Sequence, residues 1–238
     1  LLRVAATAAT GRGDPGAAAA CLRRALDEPP PAADRPGLLL ELGIALARER
    51  SPAAVPVLRE AVELAGPDAA LLAARVLGIW AYHAEAAAIC RDALGGPVPD
   101  DLADSLQAEL FQNAVISAET VAEAVTLPRR TGRSAAWGVN DALQAATSAD
   151  GGAITLPALD RISPDSMGAV YALLVLIWTG QLEEAGRICD TVLADARRRG
   201  SMSMVAHASC LHSMIMRRLG RLDEAADAAR LALDFKLA

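Results

Sequence analysis

Apolar residues recur along this chain at intervals of four, three and one, the spacing of one helix face rather than the alternation of a strand. The stretches "GRLDEAADAARLAL" (220–233) and "GQLEEAGRICDTVL" (180–193) show it most clearly, with Gly, Leu, an acidic residue, Glu and Ala at identical offsets. Reduced to its stripe, the pattern reads Ala225, Ala229, Ala232-Leu233 in one and Ala185, Cys189, Val192-Leu193 in the other. Three further copies lie upstream, at Ala18, Leu22, Ala25-Leu26, at Ala54, Leu58, Ala61-Val62, and at Ala86, Cys90, Ala93-Leu94. Each predicts an amphipathic helix whose stripe must be buried against neighbours. The alanines let a second helix approach closely, and the larger residues fill the grooves between them.

The copies stand 36 residues apart from Ala18 to Ala54, 32 from Ala54 to Ala86 and 40 from Ala185 to Ala225. These spacings bracket the roughly 34 residues of the tetratricopeptide unit, a helix-turn-helix repeat that hides its stripe only by stacking. The predicted fold is all-α, a tetratricopeptide-like α-solenoid of stacked antiparallel helix pairs forming one helical-repeat domain over 1–238. Punctuation agrees. Gly180 and Gly220 fall where the first helix of a pair must stop, and Glu183, Glu184, Asp223 and Glu224 fall in the first turn of the second, where the helix dipole favours negative charge. Arg197, Arg198 and Arg199 precede Gly200 at a helix end that favours cations, a reading preferred to a phosphate contact.

Breakers at "DEPPPAADRPG" (27–37) and "GGPVPDD" (95–101) divide the rest. N-terminal repeats (1–96) and C-terminal repeats (166–238) thus flank an irregular helical middle (97–165) in which the pattern fades. Helices are expected there at about 101–125, 132–148 and 153–161, with Ser163 or Asp165 capping the next. Irregular helix pairs would fill this region; a hinge between two solenoid halves is the alternative.

Composition narrows the function classes. The chain has 238 residues, 53% hydrophobic but only 3% aromatic, so most of its apolar content is Ala and Leu, good helix formers. A formal charge of −6 argues against a nucleic-acid surface on this segment. Cys21, Cys90, Cys189 and Cys210 are far apart without a C-x-x-C pair and read as small buried hydrophobes in a reducing, cytoplasmic setting. The opening "LLRVAATAAT" has neither an initiator Met nor a signal pattern and reads as the interior of a longer protein. "MGAVYALLVLIWTG" (167–180) is too short for the roughly 20 residues of a membrane span and predicts a buried helix.

"GRGDPG" (11–16) lacks the lysine of a phosphate-binding loop, and its Gly13 and Asp14 suit a turn and a helix cap better than an integrin ligand. His207 and His212 are five apart and do not share the face that a zinc pair needs. No catalytic, metal or cofactor residue is assigned. A candidate binding surface is assigned instead to the first helices of the last two pairs. Met167, Val170, Leu174 and Trp178 would line one, and His207, Cys210, Met214, Arg217 and Arg218 the other. Such an apolar, Met-bearing wall ending in two arginines suits an acidic or amphipathic ligand. The plainer alternative is core packing with solvated Arg side chains.

The phrasing of "AAAACLRRALDEPPPAADRPGLLLELGIAL", "AVPVLREAVELAGPDAALLAARVLG" and the run from Gly180 to Leu233 resembles the helical-repeat region of the large ATP-binding regulators of the LuxR family, the MalT-like transcription regulators. The resemblance covers nearly the whole chain. It implies a non-enzymatic sensor or protein-interaction segment that binds a protein partner or a small-molecule inducer and controls the parent protein, with homo-oligomer formation among its outcomes. It further implies that ATP belongs to an N-terminal module and DNA to a C-terminal helix-turn-helix, neither of which is in this segment. The alternative is a stand-alone tetratricopeptide-like scaffold binding peptide segments.

Overall fold

The computed structural model describes residues 1–126 and 167–237. The chain divides into two compact units, Leu1–Leu127 and Pro128–Ala238. In the described residues all regular structure is helical, with no strand.

Unit 1 holds α1 (Leu2–Gly11), α2 (Pro15–Asp27), α3 (Arg35–Arg48), α4 (Ala54–Ala65), α5 (Pro67–Ile79), α6 (His83–Leu94), α7 (Asp100–Ile116) and α8 (Val121–Thr126). Each helix packs on the next, and α5 also packs on both α3 and α7. The odd-numbered helices α3, α5 and α7 therefore touch in succession, with α4 and α6 each packed against the two that flank it. Unit 2 repeats this arrangement with α9 (Met167–Trp178), α10 (Leu182–Arg199), α11 (Met202–Arg218) and α12 (Leu222–Leu237), where α9 packs on α10 and on α11.

The turn inside each pair has one recurring geometry. At Gly13, Gly180 and Gly220 the backbone enters the left-handed region (φ +75, +78 and +79), and the next amide reaches back five residues. Asp14 donates to the Ala9 carbonyl at 3.0 Å, Gln181 to Leu176 at 2.9 Å and Arg221 to Met216 at 2.9 Å. This satisfies carbonyls that the helix end leaves unpaired. Asp14 then accepts from the Ala17 amide at 2.9 Å, capping α2 as expected.

Two pairs make the same turn without glycine. Arg50 (φ +55) and Ala81 (φ +67) occupy the left-handed position, with Ser51 donating to Leu46 and Tyr82 to Leu77, both at 2.9 Å. A Cβ is strained there, by about 1–2 kcal/mol. Replacing Arg50 or Ala81 with Gly should therefore stabilise its pair by about 0.5–1 kcal/mol once the added freedom of the unfolded chain is subtracted. Native-state hydrogen exchange of the α3–α4 and α5–α6 amides reads this directly; faster exchange in either variant would contradict it.

Alanine sets the packing distance. In unit 1, Ala6, Ala9, Ala18 and Ala19 are buried together with Leu22, Leu42 and Leu46. The closest approach lies at Gly43 in α3, where an added Cβ would stand 2.4 Å from Leu58 Cδ2 and 2.5 Å from its Cγ. Leu58 is wholly buried and is the larger residue of the α4 stripe, so it fills a groove that only glycine leaves open.

The apolar stripes are buried as their spacing requires at Ala18 and Leu22, at Ala54, Leu58 and Ala61, at Ala86 and Cys90, and at Ala185, Cys189, Val192 and Leu193. Leu233 departs from this, standing 56% exposed while Ala225 and Ala232 are buried. The helix expected over 101–125 is two helices, because Ser117 turns extended (ψ 128) and the Thr120 hydroxyl donates to the Ala114 carbonyl at 3.0 Å. The helices expected at 132–148 and 153–161, and the caps at Ser163 or Asp165, lie outside the described residues. Although α7 lacks the alanine pattern, it packs on α5 and α6 with Leu106, Leu110, Phe111 and Ala114 buried.

α9 is apolar all round and buried on nearly every side, from Ala169 to Leu173 and from Val175 to Ile177. No helix among the described residues is long and apolar enough to cross a membrane.

Candidate functional site

On α11 the residues His207, Cys210, Met214 and Arg217 follow one another at three- and four-residue steps and share one face. Cys210 and Arg217 are exposed, while His207 and Met214 are half-buried. The exposure of Cys210 corrects the reading of all four cysteines as buried. Cys90 and Cys189 are buried and Cys21 is half-buried, but the Cys210 side of α11 faces outward. Cys189 donates its thiol to the Ala208 carbonyl at 3.3 Å, and burial, with Asp190 beside it, pushes that thiol up to about 12.

Arg218 turns away from this face. Its Nη1 donates to the Ile177 carbonyl in the last turn of α9, where a cation also meets the negative end of the helix dipole. It thereby ties α11 to α9. On α9, Trp178 is 41% exposed and Leu174 half-buried, but Val170 is 5% exposed and belongs to the core. Met167 begins α9, and its side chain lies outside the described residues. Within unit 2 the outward part of the expected wall is thus Leu174 and Trp178 on one helix and His207, Cys210, Met214 and Arg217 on the other.

The arginine run at the end of α10 serves the helix end. Arg198 and Arg199 hold the nearly buried Asp195 at 2.7 and 2.8 Å, and Gly200 closes the helix at φ +66. Two of the three cations are thereby committed to a carboxylate one turn back.

A second polar constellation, not anticipated from the spacing, lies between α5, α6 and α7. Asn113, fully buried, donates from Nδ2 to Glu109 Oε1 and to the Glu109 carbonyl, both at 3.0 Å. Its Oδ1 lies 3.0 Å from His83 Nδ1, so His83 carries its proton on that nitrogen. Glu109, 7% exposed, meets Arg75 Nε at 3.5 Å through Oε2. Gly78 admits the amide: a Cβ at that position would stand 2.6 Å from Asn113 Oδ1. The signal in the sequence was "ELFQN" (109–113), polar residues inside an otherwise buried run, opposite a glycine within a helix.

Burial raises the Glu109 carboxyl above its ordinary value near 4.5, and the Arg75 guanidinium and the Asn113 amide offset this in part. A raised folded value means that the folded state holds more protons than the unfolded one, so this contribution to stability falls as pH rises from about 4.5 through the folded value. The Glu109→Gln variant keeps an acceptor for Asn113 but cannot ionise. We expect the decline in stability between pH 5 and pH 7.5, read by hydrogen exchange of α5–α7 amides, to shrink in this variant; an unchanged decline would exclude Glu109 as its source.

Among the described residues no group of three or more His, Cys, Asp or Glu side chains is placed to share a metal ion. Two open clefts flank α1. One, of about 400 Å³, is lined by residues including Arg3, Ala25, Glu28, Asp34 and Leu38, and the other, of about 190 Å³, by residues including Thr10, Glu41, Ala45 and Arg48. Arg3 and Glu41, one in each lining, are paired at 2.5 Å. No protein-family model matches the chain, and no curated protein matches it.

Proposed function

We propose that this chain is a non-catalytic interaction segment of a LuxR-type transcription regulator, a tetratricopeptide-like stack that binds a protein partner or a small inducer and biases the activity of its parent. The observation that carries the binding part of this reading is the mixed face of unit 2. Trp178 is exposed at the end of α9, and α11 presents Cys210, Met214 and the exposed cation Arg217 on one stripe. An indole, a thioether and a guanidinium suit an amphipathic acidic segment, since Met adapts its shape and Arg pairs bidentately with carboxylates. The regulator part rests on the resemblance of the quoted stretches. In that setting ATP and DNA act through other modules, and the ligand changes activity only by binding two arrangements of the parent with different affinity.

The test has two stages. An antibody against this segment should detect a native polypeptide several times heavier than 24.6 kDa in the source cells. In that parent, Trp178→Ala with Arg217→Glu should abolish the transcriptional response while ATP and DNA binding persist. A band near 24.6 kDa would instead assign the chain to the stand-alone scaffold class.

A further inference from the structure

Helix α7 is held by polar chemistry where its neighbours are held by alanine and leucine. Among the described residues of unit 1 the buried polar side chains are Glu109, Gln112 and Asn113, and all three lie on α7. The ion pairs Arg3–Glu41, Arg35–Glu60 and Arg59–Asp92, which join other helices of this unit, keep both partners at least 34% exposed, so their charges stay in contact with water. The pair made by α7 is lopsided. The Arg75 side chain on α5 is 56% exposed and that of Glu109 only 9%, and they approach no closer than 3.5 Å. An ionised carboxylate enclosed in this way is compensated from one side only, whereas the protonated acid needs no counter-charge.

The other groups around Glu109 do not change charge with it. His83 on α6 already carries its proton on Nδ1 for Asn113 Oδ1, so a second proton at Nε2 leaves that bond in place. Cys90, fully buried, is the α6 counterpart of Cys189, whose thiol bonds to the helix that follows its own. Burial, with Glu109 nearby, pushes the Cys90 thiol up against the opposing pull of Arg75 and Arg91, so it stays neutral. The described side chains of α8, which also packs on α7, carry no charge. Asn113 in turn depends on Glu109, because its Nδ2 donates to Oε1 at 3.0 Å, and Gly78 lets its amide lie against α5. A change at Glu109 therefore reaches α5 and α6 together.

We propose that α7 is a proton-controlled latch: it docks on α5 and α6 while Glu109 is protonated and releases from them when Glu109 ionises, with the α1–α4 stack staying folded. In a stack whose helices pack on their neighbours, one part can open without the rest. Docking favours the proton, since burial raises the Glu109 carboxyl above its ordinary value near 4.5. It is therefore strongest at acidic pH and weakens as pH rises through the folded value.

Cys90 reads the release, because it is closed off beneath α7. In the 238-residue chain, the rate of Cys90 labelling by N-ethylmaleimide is divided at each pH by the rate in the urea-unfolded chain, which removes the pH dependence of the thiol itself. This ratio should rise between about pH 5 and pH 8, by up to about tenfold per unit, while the opening free energies of α1–α4 amides from hydrogen exchange hold steady. Glu109→Gln should keep Cys90 protected across the range. Arg75→Ala, at an exposed side chain, should match the wild type at the acidic end and label faster at the alkaline end, because the ionised carboxylate has lost its cation. A wild-type ratio independent of pH would overturn the proposal, as would a ratio that still rises in Glu109→Gln. So would α1–α4 amides that lose protection along with Cys90, which would mean that unit 1 opens as a whole. If circular dichroism shows Glu109→Gln unfolded, Arg75→Ala decides: labelling at the alkaline end no faster than in the wild type overturns the latch.

Discussion

Replacing Gly43 with Ala should destabilise the α3–α4 pair by about 2 kcal/mol, even though alanine is the better helix former by about 1 kcal/mol. The added methyl would stand 2.4–2.5 Å from two carbons of Leu58, which is itself wholly buried, so it can make room only by displacing its neighbours. Leu58→Ala alone should cost about 3–4 kcal/mol through the cavity it leaves. The two changes are complementary in volume, so the double variant should be more stable than the sum of the singles predicts by at least about 1 kcal/mol. Opening free energies of α3–α4 amides from hydrogen exchange give all three values. Strict additivity would mean that glycine and leucine do not share one space.

Ala225→Arg should be worse, about 3 kcal/mol for the α11–α12 pair, because it places a guanidinium against α11 where the alanine is 6% exposed. The Ser213 hydroxyl donates to the Ala225 carbonyl at 2.8 Å, so the same residue also anchors α12 to α11 through its backbone. Ala226, one residue on, is exposed and supplies the control: Ala226→Arg should leave the pair's stability within about 0.5 kcal/mol. Equal protection of α11–α12 amides in the two variants would remove the basis for reading the repeated alanines as a packing stripe.

The fold was legible where its physics is local. A glycine followed by acidic residues and a stripe at i, i+4 and i+7 marks turn, dipole and buried face together, and Gly180 and Gly220 adopt that turn. The equivalent turns at Arg50 and Ala81 were not legible, because side chains there tolerate a strained backbone that neighbouring contacts impose. The candidate surface was legible in its α11 stripe but not in its limits. Helical spacing places Val170 beside Leu174 and Arg218 beside Arg217, yet which is buried or bonded depends on the neighbouring helix, and Val170 enters the core while Arg218 reaches Ile177. Asn113 and Glu109 could not be paired with His83 and Arg75 from the sequence, because they meet only after three helices have stacked.

The layering within each unit, in which the described helices pack on their neighbours in sequence, bears on kinetics. No helix in such a stack waits for a partner from the far end of its unit, so little loop entropy is lost before contacts form and folding should be rapid. It also means that stability is distributed rather than shared: neighbouring pairs protect one another, and opening spreads stepwise from wherever a pair is weakest. A scanning calorimeter should accordingly record broad, overlapping transitions, with the calorimetric enthalpy exceeding the van't Hoff value.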